Sequence, residues 1–194
     1  MSALLYVVTF MKKTVEKDNV KIYTVDDEYI TFLREFDHKV MYNKGKRPYI
    51  GAVFTIDDAK YFIPLTSLTG KKMSGTPLPK NSLVFRKIDD GNRGGIHIGN
   101  MIPVPEECLH YVNFDEIDDE KYRDGMKTQY PFIVKEWLKA KADAQKLYKL
   151  CTKEGKLKEY ERKIKSNCCD FKLLEEKCKE YEEKLKKDTE DTDK

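Results

Sequence analysis

A chain of 194 residues suits one globular domain with a core of its own. Charged residues make up 37 % of it, yet 37 Lys and Arg stand against 34 Asp and Glu, a net charge of +3. That balance excludes a globally basic nucleic-acid binder and leaves room only for local basic patches.

Acidic residues gather at 115–120 and 188–193, whereas Lys44, Lys46, Arg47, Lys60, Lys71, Lys72, Lys80, Arg86, Lys87 and Arg93 fall in the middle of the chain. The five cysteines are odd in number and form no C-x-x-C, which argues against a disulfide scaffold and a structural zinc. His38, His97 and His110 share no metal-binding spacing, so neither a metal nor another cofactor is expected. The opening run MSALLYVVTFM is shorter than the roughly 18 apolar residues that span a bilayer, and it lacks the basic start of a secretory signal. Residues 1–19 are therefore read as an N-terminal extension, either an extra strand or an ill-ordered segment, with Met11 as an alternative start. The expectation is a cytoplasmic protein without membrane contact.

VKIYTV at 20–25 reads as a first strand. It runs into DDEYITFLREFDHKV, where Thr24 or Asp26 can cap a helix and Tyr29, Ile30, Leu33, Phe36 and Val40 share a face. After the polar loop 41–47 comes RPYIGAVFTIDDAKYFIPLTS, two strands joined at Asp57-Asp58. A tight hairpin brings its ends together, so Lys46-Arg47 should lie beside Thr66-Ser67. LTGKKMSGTPLPKN reads as a long loop, SLVFRKI (82–88) as a strand, and DDGNRGG as a Gly-rich turn. GIHIGNMIPVP follows, with His97 expected on an outer, alternate face. LHYVNFDEI (109–117) closes the β-rich half.

From Asp119 the periodicity is helical. Pro131 either kinks this helix or starts a second one, Gly155 stops it, and Asp170 caps a final helix. Residues 158–167 fit no one template, and the acidic tail 188–194 is expected to be disordered. The fold class is α+β: about six strands in a compact twisted antiparallel barrel-like sheet with added packed helices, as one domain over 20–187.

No Ser-His-Asp pattern, P-loop or metal motif is present. One chemistry that needs none of them is RNA cleavage by the substrate's own 2′-hydroxyl, in which the protein aligns the phosphate, moves protons and stabilises the phosphorane. Lys, Arg, Tyr, Ser and Thr can share those tasks. Each candidate also has a plainer reading: a backbone-bonding turn for Thr66-Ser67, a solvated loop for Lys46-Arg47, and helix–sheet core for Tyr29.

IYTVDDEYITFLREFDHKV, KRPYIGAVF, YFIPLTS, NMIPVP and CDFKLLEEKCKEY, in that order, resemble the ToxN/AbiQ family of type III toxin–antitoxin endoribonucleases, some of them abortive-infection proteins against phage. The resemblance implies a fold related to the MazF/Kid/CcdB group. It also implies metal-independent cleavage leaving a 2′,3′-cyclic phosphate and a 5′-hydroxyl. The implied partners are cellular or phage RNA substrates and a repetitive pseudoknot antitoxin RNA, which the toxin processes and joins in a closed assembly. Carried over by motif, the catalytic residues fall on Thr66, Ser67, Tyr29 and Arg47, with Lys46 in Arg47's place by a one-residue slip. The RNA-binding residues fall on Tyr42, Lys71 and Lys72. Arginine stays protonated and makes a poor general base, so Lys46 is the better base if a side chain plays that part. The alternative is a non-catalytic RNA- or protein-binding module on a CcdB-like fold.

Overall fold

The structure, a computed structural model, describes residues 20–42, 47–56, 58–66 and 82–192. Its centre is the hairpin of β2 (Tyr49–Ile56) and β3 (Ala59–Thr66). Asp58, at φ 70°, takes the left-handed turn position that Asp tolerates better than branched residues do. At Gly51 the Phe62 ring lies where a Cβ would be, 2.0 Å from it, so only glycine fits that close approach.

β1 (Lys21–Val25) pairs with β2, and β7 (Leu109–Tyr111) pairs with β1. On the other edge of β3, β6 (Ile102–Pro103) pairs near Tyr61. β5 (Gly95–Ile96) pairs at Leu65 and Thr66, and β4 (Arg86–Lys87) pairs with β5. The strand order β4-β5-β3-β2-β1-β7 is open: β4 and β7 do not pair. The expected barrel-like closure is thus corrected to an open antiparallel sheet of seven strands among the described residues. The long strand expected over 82–88 shrinks to two residues because Ser82 turns back to donate to the Phe85 carbonyl (2.8 Å).

Among the described residues four α-helices accompany the sheet: α1 (Asp27–Phe36), α2 (Glu120–Cys151), α3 (Glu159–Ser166) and α4 (Phe171–Thr192). Asp119 caps α2 by accepting from the Tyr122 N–H. Pro131 lies inside α2, which runs on through it as one helix. The ambiguous stretch near 158–167 forms α3, and α4 continues to Thr192, past Asp188 where a disordered tail was expected. Its run of Glu and Lys favours helix as much as it favours solvation.

Phe54 and Tyr61 of the hairpin meet Tyr148 of α2 at 5.6 Å, and Tyr61 meets Phe171 of α4 at 6.0 Å. Within this cluster the buried Glu175 carboxylate accepts from the Tyr61 hydroxyl (2.8 Å), the Tyr148 hydroxyl (2.6 Å) and the Lys172 ammonium (2.9 Å). A buried carboxylate is tolerated when its oxygens are this well occupied.

Candidate phosphate site at the end of the hairpin

The hairpin register decides which side chains meet. Tyr49 faces Pro64 across β2–β3, and the Leu65 N–H donates to the Pro48 carbonyl (2.8 Å). One step further along the same register, Arg47 stands opposite Thr66. In an ordinary antiparallel pair residue 48 would return an N–H to the Leu65 carbonyl, but proline has none to give. The Arg47 side chain supplies the missing donor: its Nη1 reaches the Leu65 carbonyl at 3.0 Å, while its Nε reaches the Tyr42 carbonyl at 3.1 Å. The cation is therefore tied to the sheet end by backbone geometry. Partial burial lowers its pKa, but a guanidinium stays charged.

Thr66 ends β3 and is 7 % exposed. Tyr42 presents an exposed ring with the Arg34 guanidinium over it, 5.6 Å from the centroid. The segment carrying Tyr42 is pinned. Asp37 accepts from the Lys39 N–H (2.9 Å) and the Asp170 N–H (2.7 Å), the Lys39 ammonium reaches the Cys168 carbonyl (2.8 Å), and Asn100 donates to the Lys39 carbonyl (2.9 Å). The structure thus brings Arg47, Thr66 and Tyr42 to one end of the sheet.

Tyr29 stands apart. Its ring is fully buried, edge-on to Tyr181 at 5.0 Å, and its hydroxyl donates to the Pro103 carbonyl at 2.8 Å. Burial first, then Cys178, push its pKa well above the usual phenol value. The placement matches the core reading of this residue. Lys46, Ser67, Lys71 and Lys72 lie outside the described residues.

Two residues missed by sequence reasoning belong to this end of the sheet. Tyr49, 1 % exposed, has a hydroxyl with no hydrogen-bond partner among the described residues. Its signal was available, since it sits two residues beyond Arg47 on the same strand face. His97 follows Ile96, which pairs with Leu65, and its N–H donates to the Pro64 carbonyl (3.1 Å). It is half-buried rather than outward, with its ring against Phe85 (4.8 Å). Burial, and then the Arg47 charge, hold its pKa down to about 4.

Several cations of the central chain are occupied elsewhere. Arg86 pairs with Glu136 (3.1 Å) and Asp143, Lys60 with Glu106 (2.6 Å), and Arg93 with Asp89 (3.2 Å). No three His, Cys, Asp or Glu side chains converge as a possible metal group among the described residues. No helix among them is long and apolar enough to cross a membrane.

A fixed guanidinium beside a strand-end threonine and an exposed tyrosine is an arrangement whose chemistry suits a phosphate carrying an aromatic base. A family model described as the toxin ToxN of type III toxin–antitoxin systems matches residues 21–179. The chain belongs to this ToxN toxin family. It is 38 % identical over 169 residues to the endoribonuclease ToxN of Bacillus thuringiensis subsp. kurstaki, covering 83 % of this chain and 84 % of that one. It is 32 % identical over 178 residues to the endoribonuclease AbiQ of Lactococcus lactis subsp. lactis, covering 87 % and 93 %. Among solved structures, a type III toxin inhibited selectively by a non-coding RNA pseudoknot matches with a TM-score of 0.75 at 38 % identity, over 86 % of this chain and 99 % of that one. The lactococcal anti-phage endoribonuclease AbiQ matches at 0.67 and 29 % identity, over 84 % and 98 %.

Proposed function

We propose that this chain is an endoribonuclease toxin of a type III toxin–antitoxin system. The observation that carries the reading is Arg47, locked by the Leu65 and Tyr42 carbonyls beside Thr66, in a chain of the ToxN family. Arg47 holds the scissile phosphate and the charge that grows on the phosphorane. Thr66 and Ser67 donate to phosphate oxygens or orient the 2′-hydroxyl, and Lys46 takes the part of Arg47 if the motif is slipped by one residue. Tyr42 stacks a base, and Lys71 and Lys72 follow the RNA backbone. Tyr29, which the family resemblance places among the catalytic residues, acts from beneath by supporting β6 through the Pro103 carbonyl. Cleavage is independent of metal and leaves a 2′,3′-cyclic phosphate and a 5′-hydroxyl.

Relatives named as endoribonucleases, and a relative inhibited by an RNA pseudoknot, support the same class of partner here: a repetitive antitoxin RNA that the toxin processes and joins in a closed assembly. The anti-phage role of the AbiQ relative supports abortive infection as the outcome. The functional domain spans 20–187, works in the cytoplasm, and keeps the kinship with MazF/Kid/CcdB toxins through its antiparallel sheet rather than a closed barrel.

The test is induction in a bacterium, with RNA ends mapped after incubation of the purified chain in EDTA. New 5′-hydroxyl ends are expected. RNA bound but left uncut would mark a non-catalytic binding module instead.

A further inference from the structure

Arg47 cannot take a proton, so the 2′-hydroxyl needs another acceptor, and the three central strands bring one to the site. Across β2, β3 and β5 the register sets Arg47, Thr66 and Gly95 in one row. It sets Tyr49, Pro64 and His97 in the next, and side chains two apart on a strand share a face. His97 is thus a diagonal neighbour of Thr66, about 7–8 Å away by backbone spacing. Gly95, directly opposite Thr66, adds no side chain of its own to this row; the Phe85 ring fills the space a Cβ would take (2.1 Å) and packs edge-on against the His97 ring at 4.8 Å. The ring is also oriented. Asn100 gives its Nδ2 to the Lys39 carbonyl (2.9 Å), which leaves its amide oxygen as the acceptor on the His97 side, where it favours an N–H on the ring. A neutral imidazole that donates one N–H to an amide keeps its other nitrogen as an acceptor. The Tyr49 hydroxyl in the same row is a second polar group, one with no hydrogen-bond partner among the described residues.

We propose that His97, oriented by Asn100, accepts the proton of the attacking 2′-hydroxyl. The inference rests on the ribonuclease reading above. The 2′-oxygen forms a bond to phosphorus, and its proton passes to the ring nitrogen turned away from Asn100. The bond from phosphorus to the 5′-oxygen breaks, and water protonates the leaving oxygen. The imidazolium then returns its proton to solvent. At neutral pH the ring enters with its lone pair available, because burial and the Arg47 charge disfavour the cation. A phosphate seated on Arg47 offsets that charge and restores basicity when the proton moves.

The experiment follows 5′-hydroxyl ends produced from total bacterial RNA in EDTA by wild type, His97→Ala and His97→Gln, with and without added imidazole. Expected is a loss of about a hundredfold in His97→Ala, the usual scale for a missing base, and recovery with imidazole. His97→Gln should fold, stay slow and show an altered acid limb of its pH–rate profile. A wild type that cuts nothing removes the ribonuclease reading and this inference together. If wild type cuts, any of three results overturns the inference alone: His97→Ala within about threefold of wild type, loss that imidazole never restores, or a folded His97→Gln as fast as wild type. Should His97→Ala fail to fold, the rate and pH profile of His97→Gln decide.

Discussion

Tyr29→Phe separates a supporting residue from a reacting one. The substitution keeps the ring, and with it the edge-on contact to Tyr181 at 5.0 Å, and removes the one oxygen that donates to the Pro103 carbonyl at 2.8 Å. Pro103 is buried beside β3, so its carbonyl has no access to water as a replacement. A buried acceptor left without its donor costs about 1–3 kcal/mol. In a domain of this size each kcal/mol lowers the melting temperature by about 2–4 °C, so a fall of roughly 5 °C is expected. Urea unfolding should show a lower midpoint with an unchanged slope, because the surface exposed on unfolding is the same. Cleavage of RNA well below the melting temperature should remain near wild type. The reasoning fails if stability is unchanged while cleavage drops a hundredfold, for then the hydroxyl would be working on substrate.

Thr66→Ala combined with Ser67→Ala should abolish growth arrest and leave RNA retention in a gel-shift assay intact. Arg47→Ala should slow cleavage by about a hundredfold, the scale for losing one preorganised charge donor; Arg47→Lys should recover only part of it, because an ammonium cannot reproduce the guanidinium fork across two carbonyls. Glu175→Ala should lower stability by about 2 kcal/mol or more in denaturant titration, since the buried Tyr61 and Tyr148 hydroxyls lose their shared acceptor. His97 makes stability fall with acid. Its folded pKa, about 4, lies below that of a free histidine, so between about pH 6.5 and 4 the unfolded chain binds a proton that the fold refuses. Stability should be fully present above that window and shrink by roughly 2–3 kcal/mol through it; His97→Gln should flatten the slope in melts taken across pH.

The parts of the site legible in sequence are those fixed by local pairing. The turn at Asp58 sets which residues of β2 and β3 face each other, so Arg47 and Thr66 could be brought together by counting. His97 could not be placed that way. Its position depends on β5 docking on the far edge of β3 and on the Phe85 ring that packs against it, contacts between residues distant in the chain. The barrel failed for a related reason: strand count is readable from alternation, but closure requires pairing between the two edge strands, here β4 and β7. Tyr29 showed the limit of a helical stripe, because its apolar face said where the ring goes and nothing about where the hydroxyl ends.

Pro48 makes the placement of the cation a matter of subtraction. A single missing hydrogen leaves the Leu65 oxygen open, and an arginine side chain occupies it where backbone would otherwise close the strand pair. Any residue with an N–H at position 48 would compete for that oxygen and could seal the hairpin mouth, turning Arg47 loose without touching it. Changes at a proline with no chemistry of its own can therefore silence or retune this toxin as effectively as changes at the charge.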